Sequence, residues 1–192
     1  MGTRQPTIRV SAVSISAVWS RPAPPGVPDG QYDGVQRRIE GFRRDEVGDW
    51  VAELACLHGQ HVRHRPPFQE RPWVDTPEGR AARVGTAIDC PLCDRLELPE
   101  GLEVARGVGP FDDATVPAGL RRQHRVAAHT WALIRLARGS AELAVATDPP
   151  RTVQLSEGES VAVPPEVPHT LGVHGPVQLT IEFLVRPGHG GA

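Results

Sequence analysis

The chain has 192 residues, enough for one ordinary domain or two small ones, and a formal charge of −2. Ten Arg face ten acidic residues over 37–95 and eight face eleven over 96–192, so neither half has the basic excess of a duplex-binding surface. No apolar run approaches the roughly 18 residues of a membrane span. The stretch Val10–Trp19 is broken by three Ser with no cleavage pattern after it, so no membrane segment and a cytoplasmic location are expected.

Residues 1–36 read as a flexible extension, because Arg21–Gly30 (RPAPPGVPDG) is dense in Pro and Gly. Ile39–Arg44 and Trp50–Cys56 then predict two strands around the polar turn Asp45–Asp49. A His-, Arg- and Pro-rich loop follows. Thr76-Pro77-Glu78 combines a capping hydroxyl, a first-turn proline and an acid, which predicts a short helix that Gly85 is placed to end. The motif Cys90-Pro91-Leu92-Cys93 comes directly after it.

From Leu102 onward the helical period disappears. Leu102–Arg106, Trp131–Arg138, Ala141–Thr147, Thr152–Leu155, Ser160–Val163, Thr170–Val173 and Gln178–Val185 read as strands, with turns at Gly139-Ser140 and Asp148-Pro149-Pro150. Many short strands at this spacing predict a barrel or sandwich. The chain is therefore expected to be mainly β: a C-terminal β-barrel or sandwich over 97–187, preceded by a small α+β module over 38–95.

Cys56, Cys90 and Cys93 are the only cysteines. An odd number with two in a CxxC argues for metal ligands rather than a secreted disulfide framework. A CxxC turn brings two thiolates to one side, and zinc completes a tetrahedron with two more soft or borderline ligands. Cys56-x-His58 at a strand end is the best second pair, with His61 and then His64 as competitors to His58. A module of under 60 residues has little core of its own and needs such a staple. A redox CxxC would instead sit at a helix N-terminus within a βαβ unit, whereas here the motif follows a helix. Arg63, Arg65, Arg71 and Trp73 form the one basic patch with an aromatic residue. It reads as a solvated loop with Trp73 packed inside, and nucleic acid is not an expected partner.

Gly41-Phe42, Asp45-Glu46, Gly48, Trp50-Val51-Ala52, the block Cys56–Arg80 and the closing CPLC together resemble a small bacterial family of unknown function. That family shares C-G-H-x-Q-H-V-R-H-x-P-P, R-P-W-V-x-T-x-E-G-R and a final CxxC. The resemblance covers about 38–95 and implies a zinc-type module. Leu57 departs from it, standing where the family has Gly in a tight turn.

In the second half, Gly158, Pro164 and His169 are spaced as in the second cupin motif, G-x5-P-x-G-x2-H, with Glu166 replacing the middle Gly. His169 enters its strand pointing inward, where an imidazole is either a metal ligand or a buried group needing a partner. Leu98-Pro-Glu-Gly-Leu102, Thr115-Val-Pro-Ala-Gly-Leu120, His124, Trp131, Pro165-Glu-Val-Pro-His169 and Ile181-Glu-Phe183 resemble the small TehB/YeaR-like cupins, over about 97–187. That family is linked to tellurite resistance and to nitrate or nitrite response. Its H-x-T-K-A-G-V-W segment is here His124-Arg-Val-Ala-Ala-His-Thr-Trp131, so His129 stands where Gly is expected. His124, His169 and Glu182 are the family-matching polar residues that alternate inward. Two His and a carboxylate would suit Zn, Fe(II), Mn or Ni with open positions, and the competing reading is a satisfied interior hydrogen-bond cluster.

The resemblance implies a metal-binding cupin of the tellurite-resistance or stress-response type joined to a structural zinc module, with a small oxyanion or metabolite as ligand. A metal-dependent cupin enzyme, such as an Fe(II) oxygenase, and a non-catalytic adaptor acting through the zinc module are the alternatives. The sequence assigns no catalytic or substrate-binding residue. A homodimer paired through edge strands is the default expectation.

Overall fold

The computed structural model describes residues 34–62, 71–147 and 149–188. The first part of the described chain forms an antiparallel sheet of strands β1 (Gln36–Arg44), β2 (Trp50–Leu54), β3 (Gly59–His61) and β4 (Ala87–Asp89), in the order β3-β2-β1-β4. Between β3 and β4 lie a single 3-10 turn (Pro72–Asp75) and helix α1 (Pro77–Ala81). The Thr76 hydroxyl accepts the Gly79 N–H at 3.1 Å, as the capping pattern predicts. The helix stops at Ala81, short of Gly85, whose N–H bonds the Ile39 carbonyl of β1 instead of continuing the helix. Helix α2 (Pro91–Asp94) carries the CxxC.

The rest is β: strands β5 (Glu103–Asp112), β6 (Trp131–Arg138), β7 (Ala141–Val145), β8 (Arg151–Leu155), β9 (Ser160–Val163), β10 (His169–Val173) and β11 (Gln178–Val185). They make two antiparallel sheets, β5-β11-β6-β9 and β10-β7-β8. The inner faces meet in one core that includes Ile134, Leu136, Leu143, Val145, Val163, Leu171, Leu179 and Ile181. This is the mainly β, two-layer arrangement expected of a cupin-type domain. β5 runs six residues beyond the expected Arg106, because its exposed, alternation-poor sequence pairs along nearly the whole of β11.

A second core lies on the outer face of the four-stranded sheet. Trp131, Leu133, Ala162 and Leu184 from that face pack with Ile39, Ala52, Leu54, Cys56, Leu57, Val62, Val74, Cys90 and Cys93 from the first part of the chain. β6 is therefore buried on both sides: Ala132, Ile134 and Leu136 face the sandwich interior, and Trp131 and Leu133 face the N-terminal module. A strand covered on two faces reads as a continuous apolar run, which is what Trp131–Ile134 shows. The Trp131 indole is fully buried and donates its N–H to the Cys56 carbonyl at 2.8 Å. Arg186 donates to the Leu57 carbonyl at 2.7 Å, and His129 meets the Glu40 carboxylate at 2.6 Å.

All three positions where a non-glycine replaces an expected glycine adopt the left-handed region: Leu57 at φ 71°, His129 at φ 55° and Glu166 at φ 59°. A side chain there costs roughly 1–2 kcal/mol relative to ordinary backbone. Leu57 offsets that cost by burial in the second core, whereas Glu166 is exposed. Glu166→Gly is accordingly expected to raise the unfolding free energy by about 0.5–1 kcal/mol, the strain relieved less the added freedom of the unfolded chain. Urea denaturation would check it.

Trp131→Ala removes the indole from both the second core and its hydrogen bond. It should cost about 3–5 kcal/mol. Because the two parts share that core, thiol exposure at Cys56, Cys90 and Cys93 and far-UV circular dichroism should move together in one transition. Two separated transitions would contradict the shared core.

Candidate metal centre

Cys56 and His58 leave β2 in a tight turn, in which the Leu57 N–H bonds the Leu54 carbonyl and the Leu54 N–H bonds the His58 carbonyl. The left-handed Leu57 reverses the chain so that the residues on both sides of it face inward. Cys90 is the N-cap of α2 and Cys93 lies one turn along it. Pro91 at the first helical position suits that start, and the Asp94 N–H bonds the Cys90 carbonyl. The CxxC thus opens a helix rather than merely following one, which corrects the expectation from sequence. No βαβ unit surrounds it among the described residues, and a third thiol and an imidazole complete the cluster.

Cys56, Cys90 and Cys93 are buried, as is His58, and one ligand atom from each lies within 4.8 Å of all the others. The Cys56 and Cys90 sulfurs are 3.8 Å apart. His58 Nδ1 lies 3.4 Å from Cys56 Sγ, 3.4 Å from Cys90 Sγ and 3.7 Å from Cys93 Sγ. A tetrahedral zinc with bonds of about 2.3 Å to sulfur and about 2.0 Å to nitrogen needs sulfurs about 3.8 Å apart and sulfur–nitrogen gaps of about 3.5 Å. The Cys56–Cys90 gap and the three sulfur–nitrogen gaps match that spacing, and Cys93 Sγ lies within 4.8 Å of the other ligand atoms.

The rest of the imidazole is set for ligation. His58 Nε2 lies 3.1 Å from the Glu97 carbonyl, which only accepts, so Nε2 carries the proton and Nδ1 presents its lone pair to the thiols. The ring packs edge-on against Trp131, with centroids 5.3 Å apart. Thiols packed this closely cannot all ionise unless a cation joins them. Hydrogen bonds from Cys56 and then Cys93 drive Cys90 far below the usual thiol range. The hydrogen bond to Cys90 pushes Cys56 up to about 12, and the bond to Cys56, then that to Cys90 and burial, raise Cys93.

His61 is not part of this centre. It sits on exposed β3 with Nδ1 3.4 Å from the Asp45 carboxylate, near Asp49. Asp45 is already committed to its own turn through the N–H groups of Val47 and Asp49. His64, Arg63 and Arg65 lie outside the described residues. Trp73 packs against the second core and meets Phe42 edge-on at 5.8 Å.

Of the three polar residues expected inside the sandwich, the structure brings two together. His124 and His169 form an antiparallel bridge with backbone hydrogen bonds of 3.0 and 2.9 Å, and their rings lie 4.1 Å apart. His124 Nδ1 is 2.9 Å from the Arg122 carbonyl and His169 Nδ1 2.8 Å from the Val167 carbonyl. Each Nδ1 therefore carries a proton, and neither Nε2 is engaged by these carbonyls. Glu182 is not with them. It lies on the outer face of β11, bonded to Arg135 of β6 at 2.9 Å, so the set His124, His169 and Glu182 is not assembled. Alternation had placed Glu182 on the same face as Leu184, but that face looks onto the N-terminal module rather than into the sandwich.

Fold and site define a mainly β, two-layer protein with a buried Cys3His cluster on the outer face of one sheet. Residues 40–97 match the family model described as a protein of unknown function (DUF3565), and residues 107–181 match the TehB-like domain. The two matches cover consecutive segments of the chain without overlap. Among solved structures it is similar to a protein from Escherichia coli K12, at 19% identity and a TM-score of 0.44, over 48% of this chain and 98% of that one. It is similar to TehB from Haemophilus influenzae, at 14% identity and a TM-score of 0.42, over 45% of this chain and 32% of that one, so it spans about a third of TehB. A cupin protein from Bacteroides fragilis is matched at 13% identity and a TM-score of 0.28, over 47% of this chain and 64% of that one. No curated protein matches the chain.

Burial first of all holds the His169 imidazole below its usual 6.5, with His124 adding to the effect. The unfolded chain then binds a proton more readily than the folded one, so stability is full above about 6.5 and falls as pH drops through the unfolded value toward the folded one. Thermal unfolding between pH 7.5 and pH 5 should show this acid loss, and His169→Gln should flatten it. An unchanged slope in the variant would remove His169 as the cause.

Proposed function

We propose that this protein is a metal-binding cupin of the tellurite-resistance and stress-response type. A structural zinc held by Cys56, His58, Cys90 and Cys93 fixes its N-terminal module, and the TehB-like domain binds or detoxifies a small oxyanion or metabolite. The observation that carries this reading is the clustering of three buried sulfurs around one imidazole nitrogen, at 3.4–3.7 Å from it, with the ring already oriented by Glu97. All four positions would be filled by protein, so this zinc would be structural and would not activate water.

The ligand-facing part would be His124 and His169. Two imidazoles whose Nδ1 atoms are held by carbonyls could present Nε2 to a divalent ion whose remaining positions accept the oxygens of a small anion. Nitrite and tellurite are suitable probes of that class.

Metal content by mass spectrometry on untagged protein tests the first half. One tightly held zinc per chain is expected in the parent and in His169→Ala, and none in Cys90→Ser. Calorimetric titration with nickel, manganese or zinc, followed by nitrite or tellurite, tests the second half. Binding lost in His169→Ala while the tight zinc stays would support it. Titrations that are flat in parent and variant alike would leave a zinc-stapled adaptor with a β scaffold.

A further inference from the structure

Arg37 occupies a position that the zinc reading alone does not require. It lies on β1 and is only 6% exposed, although both of its neighbours in the strand are exposed. Its Nε–H donates to the Cys93 sulfur at 3.4 Å, and its Nη2 is buried with no hydrogen-bond partner among the described residues. A guanidinium in a protein does not give up its proton, and burying an unpaired cation is costly. The nearby carboxylate of Asp94 is turned to the Val35 N–H at 2.8 Å. The thiol that Arg37 contacts is Cys93, and a neutral thiol there would leave it without a counter-charge among its contacts in the described residues.

Charge counting supplies the missing partner. Three thiolates and a neutral imidazole around a divalent ion leave one net negative charge, and Arg37 brings the buried whole to neutrality. A monovalent ion such as Cu(I), a strong competitor for thiolates, would leave an uncompensated negative charge. A trivalent ion would leave a positive one.

We infer that Arg37 is a specificity-determining residue of the centre: through the Cys93 sulfur it neutralises the charge of a Cys3His site holding a divalent ion and disfavours ions of other charge. This rests on the zinc reading above. Arg37 does not ligate the metal, and it acts by hydrogen bonding and by charge. An N–H bond to a thiolate lowers the energy of the sulfur lone pairs, which makes the sulfur a poorer nucleophile and the metal–sulfur unit less reactive.

The test uses the full chain, with zinc affinity measured by competition against a chromophoric chelator and cobalt(II) as a spectroscopic probe. Arg37→Gln should weaken zinc binding by about 10–100-fold, the range typical for a residue that supports a metal ligand. It should also move the sulfur-to-cobalt charge-transfer band to longer wavelength, a change that loss of packing alone would not produce. Arg37→Lys, which keeps the charge, should recover most of the affinity. In a Cys56→His background the occupied site is already neutral, so there Arg37→Gln should cost little or nothing.

An equal loss in the parent and in the Cys56→His background, with the cobalt band unmoved, would overturn the inference while leaving the zinc site intact. A parent protein that shows no tetrahedral cobalt spectrum would overturn the zinc reading and the inference with it. Should Arg37→Gln not fold, the lysine variant decides: affinity near the parent's supports the charge role, and a loss of tenfold or more contradicts it.

Discussion

The Trp131 indole has one hydrogen to give, and it gives it to the carbonyl of Cys56 at the point where both halves of the molecule meet. That bond lies inside a core contributed jointly by the N-terminal sheet and the outer face of β6. Around it the His58 ring packs against the same indole and reaches Glu97, and Arg186 closes the turn at Leu57. Neither half could bury this surface alone. The small sheet would expose its cysteines, and the β domain would expose Trp131, Leu133 and Leu184.

This shared face accounts for the chemistry of the cluster. Thiols at 0–2% exposure are protected from oxidation and alkylation, which suits a permanent ligand set rather than a redox pair. Protection has an electrostatic consequence, since a metal–thiolate complex at this buried position would have little water to screen it. Arg37 lies where that consequence would fall, and its orphaned nitrogen is otherwise unexplained by any contact in the fold.

The β domain separates two surfaces that a single alternating pattern does not distinguish. His169 lies on an inward position of β10, beside His124. Glu182 lies on the face of β11 that the module covers, where Arg135 neutralises it. Both are half-buried or buried polar residues on strands, and both fit an inward reading of the sequence. Three residues standing where glycine was expected show the opposite case. Leu57, His129 and Glu166 keep the left-handed backbone of the turn although each has a side chain, because the turn is fixed by the elements it joins.

Much of the architecture was legible from residues alone. Trp131–Arg138, Ser160–Val163 and Gln178–Val185 form strands at the expected bounds, because β-branched and aliphatic residues there are flanked by turn formers that leave no alternative. The clustering of Cys56, His58, Cys90 and Cys93 could also be read, since two short Cys- and His-bearing motifs in a small module restrict the possible partners. Strands β3 and β4 could not, being three polar-to-mixed residues each, paired only because β2 and β1 offer them edges.

The sequence by itself determined the mainly β character and most of the strand positions, and it singled out the cysteines that cluster, because each of these is a local consequence of side-chain type and spacing. Tertiary structure decided what a period of two cannot express: which face of each strand meets which core. It put Glu182 against Arg135 instead of beside His169, selected His58 over His61, and brought Arg37 to Cys93 across 56 residues of chain. A strand in the middle of the molecule has two buried faces, and only the packing of one half on the other distinguishes them.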